Sequence, residues 1–205
     1  MKHKAATLRK RSLEQMMPYL LIIGGIIGML AAIILSIDKF KVLKDPDFTP
    51  ICSINPVISC VSVASTHQAE AFGFPNMFIG IAAFAMVLTA GMGLLAGATY
   101  KRWYWLALNA GAVFGVVFIH WLAYQSVYNI NALCIYCMVV WSVTMPLFWY
   151  ITLYNLRTGN LPTPPRLKGF VAFIQRHHGD ILGIWFIVMI FLILKHFWYY
   201  FGTLL

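Results

Sequence analysis

The sequence predicts an all-α integral membrane protein: a four-helix transmembrane bundle plus a fifth transmembrane helix, with a long extracytoplasmic loop and half-helix between helices 1 and 2. Three observations predict it. Of 205 residues, 61% are hydrophobic and 10% charged, where an ordinary soluble domain carries about 25% charged residues. The apolar residues gather into five long runs, and about 20 such residues suffice to cross a bilayer as a helix. The positive charges lie almost wholly in the connectors between runs, where they act as topology signals. The net charge of +9 therefore reads as orientation and not as a nucleic-acid surface.

The first run, residues 17–37, follows a basic tail over 1–16 and holds no charge between Glu14 and Asp38. It is too long for the apolar core of a signal peptide and lacks a small-residue cleavage pattern, so it reads as a mature span. Pro18 suits the first position of that helix, where a missing N–H costs nothing. Residues 38–73 form the outer loop. Within it Asn55-Pro56 favours a turn, and "VASTHQAEAFG" reads as a short amphipathic stretch capped near Ser65 or Thr66 and ending at Gly73.

The second run covers 75–98, with Pro75 at its first helical position, and the third covers 103–128. The fourth covers 132–154; Asn131 suits its N-cap, and Pro146 inside it predicts a kink. Together 17–156 make the bundle. The connector 157–180 contains "PTPPR", and His177 and His178 read there as solvated linker. A fifth span follows over 181–205, with Lys195 snorkelling beside Trp198, Tyr199 and Tyr200. His120, midway along the third run, is an intramembrane ionisable group of the kind that often serves function, although a ring bonded within the bundle needs no such role.

Lysine and arginine set the orientation. Lys2, Lys4, Arg9, Lys10, Arg11, Lys101, Arg102, Arg157, Arg166, Lys168 and Arg176 fall on one side if the chain threads back and forth. Lys39, Lys41 and Lys44 on the other side are balanced by Asp38, Asp45, Asp47 and Glu70. The positive-inside rule makes the amino terminus cytoplasmic and the carboxyl terminus extracytoplasmic, in a multi-pass protein of the cell (inner) membrane.

Cys52, Cys60, Cys134 and Cys137 then all lie on the oxidising face, where disulfides form and persist. Two structural disulfides are one reading. For Cys134 and Cys137 it is the weaker one, since residues three apart on a helix have Cβ atoms about 5–6 Å apart and so short a loop constrains the unfolded chain little. An all-thiolate zinc site is another reading, but the gap between Cys52 and Cys60 is wider than a usual zinc knuckle. C-x-x-C is better known as a couple that opens and closes. With Asn131 as cap, Cys134 falls in the first turn, where the helix dipole favours a thiolate. Cys137 lies one turn deeper, towards a lipid-soluble oxidant, for which a quinone is the natural candidate. The turn at Asn55-Pro56 could bring Cys52 and Cys60 together on a mobile loop swinging between an outside protein and the helix pair.

These pieces resemble the vitamin K epoxide reductase family, in particular its bacterial members. The match consists of "CSINPVISC", "SVAST", "FGFPNMFIG" and "CIYC" in that order. The resemblance implies a bundle around a quinone, ubiquinone or menaquinone, with Cys137 reacting at the ring. Cys134 would exchange with Cys60, and Cys52 would meet a separate thioredoxin-like extracytoplasmic oxidase, because no such domain follows the fifth span before Leu205. Asn76 is similar to the family's quinone-binding asparagine, Thr66 to a hydroxyl position near the quinone. Trp141 stands where mammalian members have tyrosine. It can stack or donate one N–H but has no phenol, which sets quinone reduction ahead of epoxide chemistry.

The expected activity is thus a membrane disulfide-forming oxidoreductase. Alternatives are a quinone or quinone-epoxide reductase for vitamin K recycling, and a non-catalytic membrane protein with two structural disulfides. The other quinone-linked disulfide oxidase family ranks lower, as its C-x-x-C lies in the first outer loop.

Overall fold

The computed structural model describes residues 2–45 and 47–202, apart from the side chains of residues 2–12 and 201. The basic side chains expected to mark the amino-terminal tail, and residues 203–205 of the fifth span, lie outside the described residues.

Eight α-helices follow in order among the described residues: α1 (Lys2–Lys44), α2 (Cys60–Ala64), α3 (Asn76–Leu95), α4 (Arg102–Tyr124), α5 (Ile135–Thr158), α6 (Lys168–Arg176), α7 (His178–His196) and α8 (Trp198–Phe201). Five of them are long and apolar enough to cross a membrane, over Leu13–Lys44, Asn76–Leu95, Arg102–Ile130, Ile135–Thr158 and His178–His196. Their outward faces carry bare isoleucine, valine and phenylalanine, such as Ile27, Val117, Ile187 and Phe191. A helix apolar all round is stable only inside a core or a bilayer. The chain is therefore an all-α, multi-pass membrane protein.

Several local expectations are corrected. Pro18 is inside α1 and not at its start, because the helix already runs through the basic tail. The same helix continues past residue 37 to Lys44. Pro75 is the N-cap of α3, one place before its expected position. His178 is not solvated linker: its carbonyl accepts from Trp149 Nε1 at 2.9 Å, and its Nδ1 lies 3.3 Å from the Tyr150 hydroxyl. Those two aromatic residues on α5 face the start of α7.

Packing puts α1 against both α3 and α5, and α4 against α5. Glycines allow the closest of these approaches. A Cβ on Gly25 would sit 2.8 Å from Leu88 Cβ, and one on Gly91 2.9 Å from the Ile22 backbone nitrogen. Small residues at such crossings are the membrane alternative to hydrophobic driving force. At the end away from the cysteines, polar groups join α4 to α5. Asn109 Nδ2 donates to Thr152 Oγ1 at 2.8 Å, and the fully buried Asn155 donates to the Trp105 carbonyl at 3.2 Å. By contrast α3 and α4 face one another across a cavity and pack chiefly on other helices.

Candidate functional site

The site is assembled where α4 ends. After Tyr124 the helix widens into a π-helical turn, Gln125–Ile130, which closes on Asn131 at φ 56°, ψ 33°. Asparagine tolerates this left-handed conformation better than most residues. Ser126 is buried there; its carbonyl accepts from the Ala132 N–H at 3.2 Å and its hydroxyl donates to the Ala132 carbonyl. The chain is thereby extended over the next residues, and α5 begins at Ile135 with Cys134 itself as the N-cap. The expected N-cap role of Asn131 is overturned: the left-handed turn reverses the chain too early for Asn131 to face the helix amides.

The loop carrying Cys52 and Cys60 is docked on this extended segment. Asn55 Oδ1 accepts from the N–H groups of Val57 (3.0 Å) and Ile58 (2.7 Å), an Asx turn that folds the loop back. Leu133 then donates to the Val57 carbonyl at 2.7 Å, and Ser59 donates to the Leu133 carbonyl at 2.9 Å. These bonds bracket a parallel bridge between Ile58 and Leu133. Ser59 also caps α2, accepting from Ser62 N–H at 3.2 Å. The expected single amphipathic stretch is two pieces, α2 and a 3-10 turn over His67–Glu70, with Thr66 as the cap of the second.

All four sulfurs converge. Cys52 and Cys60 form a disulfide with Cα atoms 5.7 Å apart, while Cys134 and Cys137 are free thiols. The disulfide ties up two of the four thiolates that a zinc site would need. Cys134 Sγ lies 3.3 Å from Cys60 Sγ, within the roughly 3–3.5 Å of a near-attack arrangement. The triad is closed to solvent: Cys134 is 0%, Cys60 1% and Cys52 3% exposed. Cys134 is thus not a water-facing thiol as expected, and the Cys52–Cys60 loop is docked on the helix pair rather than swung away from it. Cys134 precedes the membrane span. A hydrogen bond from the Cys137 thiol holds its own thiol below the ordinary range; burial opposes this, and the Cys137 and Tyr136 backbone N–H groups support it. A carboxylate oxygen of Asp38 lies 4.0 Å from Cys52 Sγ, a neighbour that no sequence pattern singled out.

Cys134 and Cys137 border a cavity of about 810 Å³ between α1, α3, α4 and α5. Thr66, Asn76 and Trp141 border the same cavity, whereas His120 does not, so the three expected quinone contacts and the C-x-x-C pair reach one space. Asn76 is already engaged: its Nδ2 donates to the Gln68 carbonyl at 2.6 Å and its Oδ1 accepts from Ala71 N–H at 3.1 Å. An amide has two N–H donors, so one remains. The Thr66 hydroxyl is spent on the Val63 carbonyl at 2.9 Å, which leaves its oxygen as an acceptor. Trp141 is buried in a cluster with Val57, Ile119, Leu133 and Phe197, serving packing and cavity wall together. Leu133, Ser126 and Phe197 are invisible to sequence reasoning because their roles are made by backbone and burial, which leave no residue-type signal.

Dithiol and disulfide in contact, buried at the mouth of an apolar cavity inside a helical bundle, define a membrane oxidoreductase. A model of the vitamin K epoxide reductase family matches residues 19–152. That is well over half of the chain, and the chain belongs to this family. The matched segment contains every cysteine and every cavity-bordering residue.

Proposed function

We propose that the chain is a thiol:quinone oxidoreductase that forms disulfides in a thioredoxin-like extracytoplasmic partner. The observation that carries this reading is the 3.3 Å contact between Cys134 and Cys60, with Cys137 beside it on the cavity wall. The partner's thiolate attacks Cys52 Sγ; the partner–Cys52 bond forms, Cys52–Cys60 breaks, and Cys60 leaves as thiolate. Cys60 then attacks Cys134 of a Cys134–Cys137 disulfide, and Cys137 becomes the thiolate. The partner's second thiol releases Cys52, which closes on Cys60 and frees Cys134. A closed Cys52–Cys60 bond beside two free thiols matches the state in which the inner pair has taken up two electrons.

The cavity suits a quinone. Ligand sites are mostly apolar, about 300–1,000 Å³, with a few convergent polar groups, and about 810 Å³ with Asn76, Thr66 and the Cys137 thiol on its border answers that description. Asn76, Trp141 and Cys137 would hold the ring of ubiquinone or menaquinone, and the apolar faces of α3 and α4 its tail. When bound, the quinone supplies an acceptor for two electrons and two protons.

Positive-inside reasoning supports placing the cysteine end on the extracytoplasmic face, since Lys101, Arg102, Arg157 and Arg166 lie at the opposite end. Ile51 and Ile54, 93% and 66% exposed, flank the buried Cys52 and offer the partner an apolar foothold. The test uses purified protein in lipid, a reduced thioredoxin-like protein and a quinone, with quinone reduction as the readout. Cys137→Ala is expected to stay folded and lose turnover; unchanged turnover would overturn the reading.

A further inference from the structure

The relay lies within the four-helix bundle and the family match ends at residue 152, so α7 stands outside both. Its far end nevertheless reaches the exchange site. Phe197, which caps α7, is fully buried. It belongs to the cluster of Val57, Leu133 and Trp141, against which Ile58 and Cys137 also pack. Val57 and Leu133 are joined by the 2.7 Å backbone bond that docks the Cys60 segment onto the Cys134 segment. The preceding residue acts on the other side of the same segment. His196 Nε2 lies 2.8 Å from Asn131 Oδ1, and its ring stands edge-on to Tyr128 at 5.0 Å. Asn131 is the left-handed residue from which the chain turns towards Cys134.

Two further ties fix α7 along its length. Trp185 Nε1 donates to His120 Nε2 at 2.9 Å while His120 Nδ1 donates to the Val116 carbonyl at 2.7 Å, so both ring nitrogens are used. At the other end His178 meets Trp149 and Tyr150. Between the ties, Ile184, Ile187 and Phe191 face outward. The helix is therefore held in register by polar contacts, and the fully buried residue that caps it lies in the cluster that carries the disulfide loop.

We propose that α7 is a positioning element of the exchange site, acting through Phe197 and His196 to hold Cys60 against Cys134. This rests on the relay reading above. The step it serves is the attack of Cys60 thiolate on Cys134 Sγ: the Cys60–Cys134 bond forms, Cys134–Cys137 breaks, and the electron pair leaves on Cys137. Neither Phe197 nor His196 takes part in the bond exchange. Each acts through Leu133 or Asn131, whose backbone sets where Cys134 sits. A displacement of about 1 Å at a reacting pair can cost about 10²-fold in rate.

The experiment isolates that pair in the full chain. With Cys52→Ala and Cys137→Ala, Cys60 and Cys134 remain, and mild oxidation with copper phenanthroline joins them. Adding Phe197→Ala is expected to slow the joining by about 10²-fold, with Phe197→Leu restoring most of it. His196→Ala slows it in the same direction. Ile187→Ala, on the outward face of the same helix, does not. An unchanged rate in both Phe197→Ala and His196→Ala overturns the proposal, and His196→Ala alone decides it should Phe197→Ala fail to accumulate. If the parent double variant forms no Cys60–Cys134 bond, the relay reading falls first and the proposal with it.

Discussion

Cys134 Sγ and Cys60 Sγ lie 3.3 Å apart although 74 residues separate them in the chain. Two backbone bonds through Leu133 and the Ser126 clamp on Ala132 produce that contact. It is the point at which a disulfide in a loop can communicate with a thiol pair on a helix.

The contact predicts a specific bond. In the double variant Cys52→Ala/Cys137→Ala, the Cys60–Cys134 disulfide should form nearly quantitatively on oxidation. Cys60→Ala/Cys137→Ala, which leaves Cys52 with Cys134, should form far less. Mass spectrometry of the unreduced, proteolysed protein distinguishes them, and equal yields would deny the observed pairing.

The Cys134 thiol is held low chiefly by the Cys137 hydrogen bond. Because its pKa is shifted down, the thiolate appears at lower pH than for an ordinary cysteine and persists at every pH above. In protein lacking Cys52 and Cys60, thiolate ultraviolet absorbance titrated against pH should show this. Cys137→Ala should move the midpoint up, and Cys137→Ser, which keeps a donor, should move it less. A stabilised thiolate favours the reduced pair and makes its disulfide the stronger oxidant. That suits the proposed relay, in which the inner pair draws electrons from Cys52 and Cys60.

Asp38 carries a carboxylate oxygen 4.0 Å from Cys52 Sγ. Negative charge there disfavours a Cys52 thiolate, so attack on the disulfide should preferentially expel Cys60. Two unit charges at this distance repel by about 1 kcal/mol even in bulk water, which corresponds to about a fivefold bias. In a Cys137→Ala background, Asp38→Asn should raise the fraction of protein carrying a Cys60–Cys134 bond and a free Cys52. Alkylation of Cys52 measures it; no rise would remove Asp38 from the exchange.

Gly91 is pressed against Leu21 and Ile22 of α1. Gly91→Val forces a branched side chain into that crossing and should destabilise the bundle by about 1–3 kcal/mol, read as a lower unfolding midpoint in detergent. Gly111, where a Cβ would meet no atom within 4 Å, should tolerate alanine.

Much of the architecture is legible in the order of residues. Bilayer-length apolar runs announce five membrane helices because a backbone in lipid has to satisfy its own hydrogen bonds. Pro-Asn-Met after "FGF" marks the start of α3 to within one residue, and "CIYC" marks the start of α5. The same reasoning fails at Asn131, where a cap-forming residue type reads as a cap. The π-helical turn before it, which no residue pattern announces, turns Asn131 to the left-handed region.

Sequence alone thus determined the membrane class, the number of spans and the residue types able to do thiol chemistry, because periodicity, length and cysteine content are properties of the chain itself. Tertiary structure alone decided which sulfur touches which, that Cys134 is shut away from water, and that a helix beyond the matched family segment packs behind the segments that carry Cys60 and Cys134. Those outcomes depend on backbone hydrogen bonds and burial among residues far apart in the chain. A Leu133 that supplies only its N–H and carbonyl looks, in sequence, like any other leucine.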